Sequence, residues 1–431
     1  MRTYPEALAY LNQFINYERT QPQRYAPETL SLDRVNHLLD RLGRPDRAYR
    51  SIHIAGTKGK GSTAAMIESC LRAAGYRTGF YTSPHLHTFR ERLRVNNEYI
   101  AREMFAQLVD ELEPRFNEVE GVTWFEIVTT LAFMFFARSR IDVAVLEVGL
   151  GGRFDATNVV TPLVSVITSL SMDHMNLLGN TIEQIAFEKA GIIKRRVPVV
   201  SAPQVPEAAD VIRRVARMRG ARLIVPHPPT PSPERRQHIS GEGEAQSGMR
   251  LLGAHQLINA SVALTALQVA NERGLTITDE AMRQGMTTVQ WPGRLEVLSH
   301  DPLLVVDGAH NGDSAQKLAT ALRDVFHIDQ WTLIVGVSAD KDIPAILDGL
   351  LPIAEHVIVT QASNSRAAKA ETLGAQIGDR GVEPTLTNTV AEAIDLALKD
   401  RSPIIITGSL FTVADAREAW FARIGQPLEK D

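Results

Sequence analysis

Residues 51–63 read Ser51-Ile52-His53-Ile54-Ala55-Gly56-Thr57-Lys58-Gly59-Lys60-Gly61-Ser62-Thr63. The first five residues form a strand-like run, and three glycines and two lysines follow within the next six positions. Behind them Ala64, Met66, Ile67 and Leu71 recur at helical spacing up to Gly75, and Thr78 to Tyr81 reads as a second strand. Strand, glycine loop, helix and strand in this order predict a βαβ unit. Glycines let the backbone close around an anion with its N–H groups inward, and a helix N-terminus adds partial positive charge. The usual phosphate-loop spacing is G-x-x-x-x-G-K-[ST]; here Gly61 separates Lys60 from Ser62, so the loop departs from it. The competing reading is a glycine-rich turn with solvated lysines. Placement directly after a buried strand favours a nucleotide phosphate site.

Outward from this unit the alternation continues. Helical patterns cover 4–17, 33–42, 101–117, 124–139, 181–191, 206–218 and 255–273. Ile141 to Val148 is almost wholly apolar, as a strand buried on both faces would be, and 163–168 and 197–200 read alike. A second series follows Trp291-Pro292-Gly293, with strands expected at 303–306, 331–336, 355–359 and 403–407. The fold class expected is therefore α/β: a phosphate-loop, doubly wound, mostly parallel sheet domain over 1–297, then a smaller Rossmann-like α/β domain over 298–431. The stretch 226–248 is dense in Pro, Ser, Gly and charge and reads as a surface insertion.

The chain has 431 residues, which predicts about two to three domains. Lys plus Arg is 46 and Asp plus Glu is 50, a formal charge of −4, which offers no electrostatic argument for nucleic acid or an anionic membrane. Anion binding must then come from a local site. No run reaches the ~18 apolar residues of a membrane span, and the N-terminus lacks a signal-peptide pattern. The single cysteine, Cys70, excludes an intrachain disulfide and reads as a small buried hydrophobe. Such usage fits a reducing, cytoplasmic setting.

Other residues carry chemistry by position. Glu147 ends an apolar strand and is followed by Gly149-Leu150-Gly151-Gly152-Arg153-Phe154-Asp155. An acid there faces the ligand crevice of a parallel sheet and can hold a hard cation, or it can be satisfied by loop amides. His174 follows another strand. His85 and His87 form an H-x-H pair, but no matching ligand run supports zinc. Lys189 reads as a helix-end lysine. Asp307-Gly308-Ala309-His310-Asn311 follows the strand 303–306, either as a crevice motif or as a turn capped by Asn311.

Eight motifs in order then resemble one family: G-T-K-G-K-G-S (56–62), T-S-P-H-L (82–86), E-V-G-L-G-G-R-F-D-A-T-N (147–158), D-H-M-N-L-L-G-N-T (173–181), E-K-A-G-I (188–192), H-Q-L-I-N-A (255–260), W-P-G-R-L-E (291–296) and D-G-A-H-N (307–311). The chain resembles the folylpolyglutamate synthase/dihydrofolate synthase family of the Mur ligase superfamily over nearly its whole length. The resemblance implies an ATP-dependent ligase joining L-glutamate to dihydropteroate or reduced folates, monomeric, with two Mg²⁺ sites. It implies ATP contacts at Thr57, Lys58, Gly59, Lys60, Gly61, Ser62, Asn259, Arg294 and Asp307, and magnesium ligands at Ser83, Glu147 and His174. Lys189 matches a lysine that is carbamylated in the family, and Lys60, Lys189 and His310 are the implied catalytic residues. Thr123, Trp124, Phe125, Glu126, Phe154, Asp155 and Ala156 match the pterin-substrate pocket, with Arg34 bordering it; His310 and Ser409 match the glutamate side. Lys58 stands where many relatives carry Asn. A muramyl-peptide ligase is the alternative within the superfamily, but only about 50 residues precede the phosphate loop, too few for a further typical domain. A non-catalytic ATP-binding regulator is the alternative from another class.

Overall fold

The computed structural model describes residues 1–18, 30–227 and 249–431. The described residues fall into two compact units, one of 1–18, 30–227, 257–289 and 431, the other of 249–256 and 290–430. Most of the expected insertion at 226–248 lies outside the described residues.

The first unit is built on an eight-stranded sheet: β1 (Arg50–Ala55), β2 (Thr78–Tyr81), β3 (Leu93–Val95), β4 (Glu98–Tyr99), β5 (Val143–Glu147), β6 (Val164–Ile167), β7 (Val199–Ser201) and β8 (Leu223–Ile224). The strand order is β4-β3-β2-β5-β1-β6-β7-β8, parallel from β2 to β8, with β3 and β4 added antiparallel at one edge. All five residues of β5 are buried, which explains its unbroken apolar run, since helices cover both faces of a parallel sheet. Helices Arg102–Asn117 and Trp124–Arg138 pack a large core on one face around Phe105, Phe116, Phe133 and Phe136. Helices Ile182–Ala190 and Pro206–Met218 cover the other with Ala186, Ala190, Ile212 and Val215.

The second unit holds six strands: β9 (Glu296–His300), β10 (Leu303–Val306), β11 (Trp331–Val335), β12 (Ala354–Val359), β13 (Thr385–Leu386) and β14 (Ile404–Thr407). They run in the order β13-β12-β11-β14-β10-β9, parallel except for β9 against β10. Its two cores hold Leu322, Trp331, Leu347 and Leu373 on one side and Ile394, Ile406 and Val413 on the other.

Three expectations shift. The helix expected at 4–17 stops at Leu11, and Ile15 bridges to Thr123 instead. The expected boundary at 298 falls inside β9; that strand pairs back on β10, so the second unit already begins at Gln290. Residues 249–256, ahead of most of the helix Ala254–Glu272, also count with the second unit.

Candidate active site

In the first unit the site grows from the carboxyl ends of β1, β5 and β6, where ligands bind in open parallel sheets. After β1 the chain turns at Gly56, whose φ is +154°; a Cβ there would stand 1.9 Å from Thr168 Oγ1. Thr57 and Lys58 then donate their N–H groups to Ser169 O at 3.1 and 3.0 Å, and Thr57 Oγ1 donates to Ser171 O at 3.2 Å. The loop is thereby pinned to the segment after β6. Gly59 adopts φ +83°, and a Cβ there would lie 2.2 Å from Asn259 Oδ1. The helix Lys60–Ala73 starts at once, so its first-turn N–H groups face the loop. The sequence-predicted residues Thr57 to Ser62 and Asn259 are thus brought together.

Glu147 is 4 % exposed at the end of β5, and its Oε2 accepts the Ser83 N–H at 3.3 Å. His174 stands in a left-handed conformation (φ +48°) with an exposed side chain, and its N–H donates to Asp173 Oδ1. Among the described residues no three Asp, Glu, His or Cys side chains gather as a ready metal cage. The donors present still suit magnesium, which takes one or two carboxylates and completes its shell with water and substrate phosphates. Ser83 and Glu147 supply hard oxygens, and the hydroxyls of Thr63 and Ser171 are buried at the loop with no protein partner.

Lys189 lies in the last turn of its helix and is 4 % exposed. Burial pulls its amine down to about 7; the charges of Lys60 and Lys58 push the same way, and Asp173 and Asp155 oppose them. The charges of Lys58, Lys60, Asp155 and Asp173 thus all act on this buried amine. A further clamp, not apparent in the sequence, fixes this helix end. Arg153 donates its N–H to Glu188 O at 2.9 Å, and its guanidinium grips the Glu188 carboxylate at 2.9 and 2.7 Å. Gly191 permits it, since a Cβ there would meet Arg153 Cβ at 2.4 Å.

The expected pterin-side residues fall into two groups. Thr123 and Glu126 form a capping box at the head of the helix Trp124–Arg138, and the Glu126 carboxylate also receives Arg34 Nε at 3.1 and 3.0 Å. Phe125 packs its ring over Gly149, and Phe154 lies 4.2 Å beneath the Arg153 guanidinium. These side chains are half-buried, except Thr123 and Glu126, which are buried. Trp124 and Ala156 belong to the core, with the Arg92 guanidinium 5.0 Å from the Trp124 ring centroid. Asp155 is buried and clasps its own loop, accepting N–H groups from Gly149, Leu150 and Thr157 at 3.0 Å each. Burial pushes its carboxyl above the usual range against those donors.

In the second unit Asp307 follows β10 and ties two turns, accepting Leu295 N–H and Ala309 N–H at 2.9 Å each. Arg294 lies over Gly308, where a Cβ would stand 2.4 Å from its Nη1. His310 Nδ1 is 2.8 Å from Gly308 O, a backbone acceptor, so Nδ1 carries a ring proton. Asn311 caps the helix Gly312–Phe326 by accepting Ser314 N–H. Ser409 is 4 % exposed and caps the helix Leu410–Arg423; its Oγ accepts Thr412 N–H at 3.0 Å and pairs with Thr412 Oγ1 at 2.8 Å. His255, in the field of Asp307, Lys317 and Arg294, is held below its ordinary range by burial.

A phosphate loop, a buried lysine and a second Rossmann-like unit define a nucleotide-using ligase of the Mur type. The Mur ligase middle domain matches residues 54–202, and the Mur ligase glutamate ligase domain matches 293–410. The chain is 37 % identical over 406 residues to the dihydrofolate synthase/folylpolyglutamate synthase of Bacillus subtilis, covering 90 % of this chain and 94 % of that one. Mycobacterium tuberculosis folylpolyglutamate synthase complexed with ADP is similar in structure, with a TM-score of 0.84, 32 % identity and coverage of 97 % and 98 % of the two chains. A folylpolyglutamate synthase complex with AMPPCP and folate aligns with a TM-score of 0.80, 34 % identity and coverage of 96 % and 99 %. The chain belongs to the folylpolyglutamate synthase/dihydrofolate synthase family.

Proposed function

We propose that the chain is an ATP-dependent ligase that adds L-glutamate both to dihydropteroate and to reduced folates, through an acyl phosphate. The family assignment carries the ligase class, and the bacterial relative named for both activities supports the bifunctional reading. The observation that carries the chemistry is the loop after β1, which brings Lys58 and Lys60 to the head of the helix Lys60–Ala73 with their charges acting on the buried Lys189.

A carboxylate is a poor acyl donor, because direct amide formation would expel oxide. Passing the γ-phosphoryl group to it creates a phosphate leaving group. Two anions must approach in that step, so fixed positive charge lowers the barrier. Lys60 and the first-turn amides serve the nucleotide in this reading, and the resemblance implies Arg294 and Asp307 as further nucleotide contacts. Magnesium, for which the resemblance implies Ser83, Glu147 and His174 as ligands, would neutralise phosphate charge. Lys189 is poised for carbamylation: an amine with a pKa of about 7 is about half unprotonated at neutral pH, and only that form adds CO₂. His310, held by its Nδ1 to Gly308 O, stands on the glutamate side in this reading, and Ser409 supports the same side through its helix cap. No protein nucleophile is required, so no covalent enzyme intermediate is expected.

The protein acts in this reading as a cytoplasmic monomer; among the described residues no helix is long and apolar enough to cross a membrane. The test is to supply ATP, Mg²⁺ and glutamate with dihydropteroate or tetrahydrofolate, and to measure ADP and ligated product. Glutamate-dependent product from both acceptors is expected. Turnover with neither acceptor would overturn the reading, and turnover with one alone would remove bifunctionality. Isotopically labelled CO₂ should give a carbamate carbon signal that Lys189→Met lacks.

A further inference from the structure

Beneath the loop from Gly149 to Asp155 runs a buried polar chain that the chemistry above does not use. His53, in β1, has no exposed surface, and its Nε2 lies 2.8 Å from Thr157 Oγ1. That hydroxyl oxygen lies 2.5 Å from Asp155 Oδ1. Oδ1 also receives the Thr157 N–H, and Oδ2 receives the N–H groups of Gly149 and Leu150.

The proton positions follow from counting donors. Three backbone N–H groups already converge on the Asp155 carboxyl, which makes it the acceptor for the hydroxyl as well. A hydroxyl has one proton. Once Thr157 gives it to Asp155, its oxygen can only accept from His53. Nε2 of His53 must then be the protonated nitrogen. The other nitrogen, Nδ1, is buried with no partner, which suits a bare lone pair better than an orphaned N–H. Burial, with the nearby Lys194 charge, pulls this imidazole down to about 3, so the ring stays neutral.

We propose that His53 is a positioning residue for the acceptor-binding loop: its Nε2–H orients the Thr157 hydroxyl, which locks Asp155 as the clasp of Gly149 and Leu150. The inference rests on reading this loop, which ends in Phe154 and Asp155, as the border of the pterin pocket. An apolar residue at 53 would leave the Thr157 hydroxyl without a donor and the clasp loose. The phosphate loop is anchored separately, through Ser169 and Ser171. Loss of the His53 contact should therefore weaken the acceptor and spare the nucleotide.

The test has a spectroscopic arm and a kinetic arm. In isotopically labelled wild-type protein, nitrogen shifts of His53 should show a protonated Nε2 and a bare Nδ1; the opposite tautomer overturns the proposal. In the kinetic arm, His53→Phe and Thr157→Val should each raise the acceptor KM about tenfold, leaving the ATP KM within about twofold. His53→Gln and Thr157→Ser keep the needed donor or hydroxyl and should recover most of that loss. The double variant His53→Phe/Thr157→Val should be no worse than either single change. Equal shifts in both KM values, an unchanged acceptor KM, or no recovery in the conservative variants would each contradict it. Should His53→Phe fail to fold, the Thr157 pair and the tautomer decide the question. Wild-type turnover tests the ligase reading by itself, and without it the tautomer still decides the hydrogen-bond chain.

Discussion

Lys189 shows how one side chain joins stability to function. Its amine drops from 10.5 to about 7 because burial penalises the charged form. Between those two values the unfolded chain holds a proton that the folded chain lacks, so this group makes stability climb with pH from 7 to 10.5 and contributes no slope below 7. A tenfold loss of proton affinity corresponds to ~1.4 kcal/mol, so the burden at neutral pH is a few kcal/mol. Lys189→Met should raise Tm by several degrees at pH 7 in CO₂-free buffer, flatten the pH dependence above 7, and abolish turnover. Thermal melts across this pH range check it; an unchanged or lowered Tm at pH 7 would contradict the burial argument. Lys60 makes the complementary case at the same site. Lys60→Ala should lower kcat by about 10²–10³-fold, as expected when a charge stabilising the transition state is lost. Steady-state ADP release measures this, and a loss under tenfold would move the phosphate site elsewhere.

At the scale of the element, the loop between β1 and the helix Lys60–Ala73 works because two glycines allow what other residues could not. Gly59→Ala would put a Cβ at φ +83°, where left-handed backbone costs ~1–2 kcal/mol, and drive it into Asn259. It should lower Tm and raise the ATP KM at least about tenfold; an unchanged ATP KM would remove the loop from nucleotide binding. Much of this element is legible in the sequence: glycines and lysines directly after an apolar strand allow few other placements. The strand 303–306 is likewise readable, because its buried residues Leu304, Val305 and Val306 are all apolar. The short strands β3, β4, β8 and β13 are not, since two or three residues carry too little pattern. The clamp of Arg153 on Glu188 and the chain from His53 to Asp155 are equally hidden. Each joins residues distant in sequence, through side chains that look like ordinary surface charge or a stray core histidine. A histidine within the apolar run SIHIA is the one available signal, because a neutral buried imidazole needs a polar partner.

At the scale of the whole molecule, the phosphate-loop and pterin-side residues of the proposed reading belong to the first unit, and Arg294, Asp307, His310 and Ser409 belong to the second. The existence of two α/β units is readable in the sequence, whereas the boundary is not, because an antiparallel strand at the start of a unit looks like the tail of the previous one. A single phosphate loop serves both acceptors in this account. Lys60→Ala should therefore depress dihydrofolate formation and folate chain extension by the same factor, measured as parallel product assays; unequal losses would point to separate activation sites. The most direct test follows the acceptor's own oxygen. With the acceptor carboxylate labelled in heavy oxygen, activation by phosphoryl transfer predicts one labelled oxygen in the released phosphate for each amide formed. Phosphate released without label during amide formation would contradict the account.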